Sequence, residues 1–197
     1  MVLNLFKRLL GQKESNQQVD EVASDSHGNY ISLATLEHVE FITDEILKGS
    51  NVGNYNRAYA QYPRQALPGL EKQLRDSIQH NKFSIGRGDL ITSVISIAHH
   101  NNEVSGFCWS TSPSKNTYEV FMLSVREDKR RDGLGKALLL DALASYPEES
   151  LVIARIYKDE FKSDLNRSMQ NMLFEEGFEE PQEQPNKKTT LFSKKLN

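Results

Sequence analysis

The feature that most constrains the fold is the passage formed by residues 118–136, where an extended run enters a charged loop and a helix then opens at two glycines. Gly133 and Gly135 let several backbone N–H groups face one point without a Cβ in the way. The helix that follows contributes its unpaired N–H groups and the positive end of its dipole. Three basic side chains suited to a diphosphate lie in the same loop: Arg130, Arg131 and Lys136. The passage therefore predicts an anion-binding cradle.

Two other phosphate-binding loops fit this passage badly. A P-loop requires GxxxxGK followed by Ser or Thr, whereas Lys136 follows Gly-Leu-Gly and precedes Ala137. A dinucleotide fingerprint requires GxGxxG, and its third glycine position is occupied by Leu138. Taken alone, the glycine pair is also compatible with a tight turn that binds nothing.

The apolar periodicities along the chain predict a layered domain. Strand patterns occur at 30–33, 90–98, 103–110, 118–125, 151–157, around Phe178 and at 189–193. Helical patterns occur at 36–47, where Thr35 is a plausible N-cap, and at 67–80, 135–146 and 164–176. This β-α-α-β-β-β-α-β-α-β-β order predicts an α/β (α+β) fold. We expect a mixed, mostly antiparallel central sheet of about seven strands with helices on both faces.

Three regions are expected along the chain. Residues 1–13 form a short amphipathic helix, residues 14–28 a flexible acidic linker, and residues 29–197 the folded domain. The helix at residues 2–10 is a candidate for docking on a partner, on its own domain or on a membrane surface.

Composition narrows the function classes. The net charge is −3, so no nucleic-acid partner is expected. The single cysteine, Cys108, lies in a strand pattern and is interpreted as a small buried residue; a chain without disulfides fits a cytoplasmic location. The five histidines show no zinc-binding spacing, so no metal is expected, and His99-His100-Asn101-Asn102 is interpreted as a hairpin turn.

Arg130-x-x-Gly133-x-Gly135 resembles the [QR]-x-x-G-x-[GA] signature of the GNAT superfamily of acyl-CoA-dependent N-acetyltransferases. The order of elements from Tyr30 to Ser193 is also similar to that superfamily's. A further resemblance is the helix that begins at Asn166 and ends in Gly177-Phe178. The resemblance covers about 165 of the 197 residues. It implies a GNAT-like domain that takes acetyl-CoA as co-substrate and acetylates a primary amine by direct attack in a ternary complex.

The resemblance also implies where the co-substrate binds. The strand backbone would hold the pantetheine arm and the acetyl carbonyl at Leu123, Ser124 and Val125. The loop backbone would bind the pyrophosphate through Arg130, Arg131, Asp132, Gly133, Leu134, Gly135 and Lys136. Asn166 would hydrogen-bond the cofactor near the thioester arm. In this fold the two strands equivalent to 118–125 and 151–157 splay apart, which leaves strand groups free for the ligand.

An ammonium acceptor must lose a proton before it attacks the thioester, so a base is required. Glu119 lies eleven residues before Arg130, where several family members carry a catalytic Glu, and is the predicted base. The alternative for Glu119 is a carboxylate that faces water. Glu127 and Asp128 are closer to the cradle but are more typical of helix-start or surface groups.

The leaving thiolate is protonated in many family members by a Tyr four residues before the Gly of Gly-Phe. This chain has Leu173 there, and Tyr157 is the predicted replacement. The resemblance places the acceptor between residues 49–68 and residues 181–188. An acceptor pocket there could be lined by Arg57 and the tyrosines Tyr55, Tyr59 and Tyr62. The alternative for the three tyrosines is that they are packing residues.

Two further functions remain open at this stage. The absence of a Tyr at Leu173 is also compatible with a non-catalytic acyl-CoA-binding module that signals through its N-terminal helix. The second is a protein recruited to a membrane or a partner, whose main functional element is the helix at residues 2–10. The oligomeric state is left open, with a dimer among the options.

Overall fold

The computed structural model describes residues 28–85, 88–157, 164–180 and 189–197. The strands are β1 Asn29–Leu33, β2 Lys82–Ser84, β3 Leu90–His100, β4 Glu103–Ser114, β5 Thr117–Val125, β6 Leu151–Tyr157 and β7 Thr189–Lys195. The helices are α1 Val39–Asn51, α2 Ala58–Gln61, α3 Pro63–His80, α4 Leu134–Ser145 and α5 Asp164–Glu175. The predicted N-terminal helix (1–13) and nearly all of the predicted linker (14–28) lie outside the described residues. No described helix has the length and apolar character needed to span a membrane.

The strands form one seven-stranded sheet in the order β1-β3-β4-β5-β6-β7, with β2 also paired to β3. All neighbours are antiparallel except β5 and β6, which are parallel. Parallel neighbours need a crossover, and α4 supplies it between β5 and β6. The predicted mixed, mostly antiparallel sheet is therefore confirmed.

Each face of the sheet carries its own apolar core. On one face α4 buries Leu134, Leu138 and Leu139 against β4 and β5, and Leu173 of α5 joins the same core. The apolar side chains of the other core come from α1, α3 and the strands beneath them: Ile42, Ile46, Leu70, Leu74, Phe83, Phe107 and Trp109. Burial of one such side chain stabilises the fold by about 1.5–3 kcal/mol. The two cores therefore hold the sheet between helical layers, as predicted.

The helix that includes Leu67 begins earlier than the sequence pattern indicated. α3 starts at Pro63, where proline is favourable because the first helical N–H has no partner in any case. Pro68 then lies inside the first turns and removes only one internal hydrogen bond. The segment predicted to be irregular (49–68) therefore contains α2 and the start of α3.

The hairpin between β3 and β4 is tighter than predicted. Only Asn101 and Asn102 form the turn, with φ angles of 52° and 65°. Paired left-handed residues match the twist of a two-residue hairpin, and asparagine tolerates that conformation. His99 and His100 consequently belong to β3, and the His99 ring stacks on Tyr30 with centroids 4.3 Å apart. The prediction of a four-residue turn from His99 was wrong.

Two short elements also differ from the prediction. Phe178 does not form a strand; its ring is buried in the α4-side core, and only Glu179 makes an isolated bridge, to Ser193. Strand β2 was not predicted, since three residues carry too little periodicity to distinguish them from a loop.

Gly106 of β4 is required by close packing against β5. A Cβ on Gly106 would lie 2.8 Å from the Ser124 carbonyl oxygen and 3.3 Å from a Leu138 methyl carbon. Backbone cannot yield cheaply, so we expect Gly106→Ala to lower the free energy of unfolding by about 1–3 kcal/mol in urea denaturation. Gly69 of α3 has no atom within 4 Å of such a Cβ and is the matched control. We expect Gly69→Ala to be neutral or stabilising by up to about 1 kcal/mol. Equal effects of the two variants would contradict this account.

Candidate active site where β5 and β6 separate

The loop between β5 and α4 places a helix N-terminus at the end of β5. Arg131 and Gly133 adopt positive φ angles of 76° and 77°, which turn the chain sharply into α4 at Leu134. The Ala137 amide donates to the Gly133 carbonyl at 2.9 Å. The amides of Leu134, Gly135 and Lys136 precede that bond and form the first helical turn, whose N–H groups have no acceptor inside the helix. These amides can bind an anion.

Packing of the protein does not explain why residue 135 is glycine. A Cβ on Gly135 would make only ordinary contacts, 3.7 Å or more from Val125, Leu123 and Met172. The absence of a side chain at residue 135 therefore has a reason other than crowding by the protein. Bare backbone at a helix N-terminus fits the close approach of a phosphate group.

The three basic side chains of the loop have different surroundings. Arg130 donates through Nε to the Val125 carbonyl at 3.0 Å and thus braces the loop on the end of β5. The Lys136 ammonium pairs with Glu176 at 2.8 Å, and this hydrogen bond raises the pKa of Lys136. Arg131 is exposed, as is Asp132.

The parallel pairing of β5 with β6 ends at Val120 and Ala154. Beyond that point the described partner of β5 is β4. The Ser124 carbonyl faces Gly106 of β4, so the backbone groups of Leu123 and Val125 point the opposite way. Their carbonyls accept hydrogen bonds from the Tyr55 hydroxyl at 2.6 Å and from Arg130, respectively. Their N–H groups point into the gap between β5 and β6.

A bulge marks the point where the strands diverge. Trp109 pairs with Met122 and Ser110 with Val120, so Phe121 is an extra residue in β5. The Phe121 ring contacts Trp109 edge-on at 5.2 Å and is 36% exposed. The bulge therefore places an accessible aromatic ring on the α1 and α3 side of the sheet.

Glu119 is buried and ion-paired. It is 7% exposed, and Arg155 Nη1 of β6 donates a hydrogen bond to Glu119 Oε1. A water-facing carboxylate, the alternative left open by the sequence, does not describe this environment. Glu119 shares the α1 and α3 side of the sheet with Phe121.

Tyr157 and Asn166 meet beside the gap. Asn166 of α5 donates through Nδ2 to the Tyr157 carbonyl at 3.1 Å. Burial raises the pKa of the Tyr157 phenol, so that group carries its proton at neutral pH. The Tyr59 phenol is close enough to interact with Tyr157 electrostatically, and burial raises the pKa of Tyr59 as well. Leu173 is fully buried in the α4-side core.

A buried carboxylate that the sequence patterns did not indicate lies at the end of β5. Glu45 of α1 is 4% exposed, pairs with Lys48 at 2.8 Å, and accepts a hydrogen bond from Ser124 Oγ at 3.4 Å. Glu45 lies three residues after Ile42, on the apolar stripe of α1, and this position could have indicated a buried carboxylate. Arg155, also missed as a site residue, is the one charge in the apolar run of β6.

Tyr55 ties the α1–α2 connection to the same strand. Its hydroxyl reaches Leu123, and its ring covers Gly49, where a Cβ would lie 2.5 Å from the ring. Burial raises the pKa of Tyr55. Tyr55 and Tyr59 are partly buried in the α1-side core, whereas Tyr62 is exposed.

The cysteine is buried as predicted, and burial raises the pKa of Cys108 to about 12.

This arrangement of a cradle and a split sheet matches a known family. The sequence profile of the Acetyltransferase (GNAT) family matches residues 55–178, more than half of the chain, so the protein belongs to the GNAT acetyltransferase family. No curated protein sequence matches the chain.

Solved structures share the fold at low sequence identity. The PaiA N-acetyltransferase from Thermoplasma acidophilum, in complex with coenzyme A, superposes with a TM-score of 0.61 at 16% identity, covering 85% of this chain and 99% of that one. An N-acetyltransferase from Staphylococcus aureus gives 0.57 at 15% identity, covering 86% and 99%. YncA from Salmonella typhimurium, a putative acetyltransferase with acetyl-CoA, gives 0.54 at 14% identity, covering 86% and 94%. These likenesses show the fold.

Proposed function

We propose that this protein transfers an acetyl group from acetyl-CoA to a primary amine by direct attack in a ternary complex. One observation carries the proposal: the open edge of β5 leads, through the loop at residues 126–133, to the bare amides that open α4. Groups suited to a thioester carbonyl and to a diphosphate therefore lie in sequence along one wall of one gap. A cytoplasmic location stays a prediction.

The residues present fit acetyl-CoA. The loop amides from Arg131 to Lys136 would bind the pyrophosphate, and the exposed Arg131 side chain would add positive charge. The N–H groups of Leu123 and Val125 would bind the pantetheine arm and the thioester carbonyl. Acetyl-CoA, when bound, supplies an activated acyl group. An N–H that points at that carbonyl stabilises the negative charge that develops on its oxygen during attack.

Proton transfer in this proposal uses two residues. Glu119, whose carboxylate is held on one oxygen by Arg155, takes the proton of the acceptor ammonium. Tyr157 is the proposed proton donor to the leaving sulfur, since its phenol is protonated at neutral pH and Leu173 has no proton to give.

The burial of Leu173 also favours a second candidate, a non-catalytic acyl-CoA-binding module that acts through the N-terminal segment. Thioester turnover with a panel of primary amines separates the two. Acetyl-CoA binding with no turnover on any amine would favour the binding module.

The cradle is tested at Gly135. We expect Gly135→Glu to weaken acetyl-CoA binding roughly a hundredfold or more, since it places a negative charge where the pyrophosphate must sit. Calorimetric titration measures the change. Gly135→Ala is the matched control, because a Cβ there makes only ordinary contacts, and it should bind within about threefold of wild type. Unaltered affinity in Gly135→Glu would remove the cradle from the proposal.

The base is tested by the pH profile of Glu119→Gln. We expect kcat at pH 7 to fall by about a hundredfold or more, since general-base catalysis contributes that much. The deficit should shrink as the pH approaches the pKa of the amine, about 10, because a neutral amine needs no base.

Glu127→Gln provides the control, since Glu127 is exposed beside the loop and has no role in this chemistry. A loss in Glu119→Gln that is independent of pH, or no loss, would exclude Glu119 as the base.

A further inference from the structure

Arg155 stands out as the one charge in β6, on the sheet face where α1 and α3 pack. Its neighbours Ala154 and Ile156 are buried in the core under α4, so Arg155 and Tyr157 point to the opposite face. The Arg155 side chain is 42% exposed.

Glu119 fixes the orientation of the Arg155 guanidinium. The Glu119 side chain is 10% exposed, and it accepts from Nη1. A guanidinium has five N–H donors in a rigid fork, so one bond on its buried side leaves other donors on its exposed edge. Because Glu119 is buried, it holds the guanidinium on the protein side, and the remaining donors of Arg155 face a ligand.

Apart from Glu119, the neighbours of Arg155 on this face, within the part of the chain that the structure describes, are aromatic or apolar. Phe121, on the adjacent strand β5 and the same face, is partly exposed. Tyr157 follows on β6, and Leu191 of β7 is paired with Arg155 in the sheet register. A fixed guanidinium in such surroundings suits a carboxylate attached to an apolar framework.

Residues 49–70 reach this region through Tyr59, which lies close enough to Tyr157 to interact with it electrostatically, and their charged residues are of one sign. Across residues 49–70, which connect α1 to the first half of α3, the only charged residues are Arg57 and Arg64. The chain as a whole has a net charge of −3, so this basic segment is a local departure. Like-signed charge around a cleft raises the local concentration of an oppositely charged ligand.

We propose that Arg155 binds a carboxylate of the acceptor, so that the acceptors of this enzyme are amines that carry a carboxylate. The inference rests on the proposed acetyl transfer and names its substrate class. The carboxylate remains unchanged in the reaction: the amine nitrogen forms a bond to the acetyl carbon, the carbon–sulfur bond breaks, and the amine proton leaves through Glu119. In this account Glu119 has a second role, as the positioning residue for Arg155.

The experiment compares para-aminomethylbenzoate with its carboxamide, two primary amines that differ only in the charge remote from the nitrogen. Binding of each to the protein saturated with coenzyme A is measured by calorimetry, and turnover with acetyl-CoA is measured separately. Wild type should bind and acetylate the carboxylate roughly ten- to hundredfold better, as expected for a charge-assisted hydrogen bond. Arg155→Gln should abolish the preference in binding and in KM. Because Arg155 also holds Glu119, kcat should fall by the same factor for both probes.

Two further variants make the test specific. Arg75→Gln removes an exposed arginine of α3 and should keep the full preference. Glu119→Gln retains an oxygen that accepts from Arg155, so it should keep the binding preference while turnover falls. Equal binding of both probes by wild type, or an unchanged preference in Arg155→Gln, would overturn the carboxylate site. A carboxylate preference in binding without turnover of either probe would sink the proposed acetyl transfer and leave the site standing.

Discussion

The site depends on one constraint: β5 and β6 stop pairing after Val120 and Ala154. An unpaired backbone amide is costly unless water or a ligand satisfies it. Here the carbonyls on the open edge already have donors, from Tyr55 and Arg130, whereas the N–H groups remain directed into the gap. The open edge is therefore selective for a ligand that offers acceptors, such as carbonyl oxygens.

The same edge connects the two sides of the site. Tyr55 and Glu45 attach the helices of the acceptor side to Leu123 and Ser124, the strand that holds the proposed thioester. The close fit of the Tyr55 ring over Gly49 keeps that connection short. On the same face of the sheet, the Glu119–Arg155 pair joins β5 to β6 just before they diverge. Polar side chains thus hold β5 at both ends of the stretch that does not pair with β6.

The sequence was sufficient where a pattern is long or chemically specific. The longer strands, α4 after its glycines and the order of these longer elements followed from it. The sequence was insufficient where tertiary packing determines the bounds of an element or the partner of a side chain. Pro68 inside α3 removes only one internal hydrogen bond, and the helix is held by the burial of Leu70 and Leu74. The turn at Asn101 is short because two left-handed asparagines suffice. The pairing of Glu119 with Arg155 joins residues far apart in the chain, which no local pattern predicts.

The most direct measurement is calorimetric titration of the full-length protein with acetyl-CoA and, in parallel, with NAD and ATP. The bare amides at α4 alone would accept any diphosphate, but the N–H groups of Leu123 and Val125, which point into the gap, suit the amide and thioester carbonyls of the pantetheine arm. The account therefore predicts saturable binding of acetyl-CoA and much weaker binding of NAD and ATP. Equal binding of all three, or no binding of acetyl-CoA, would contradict it.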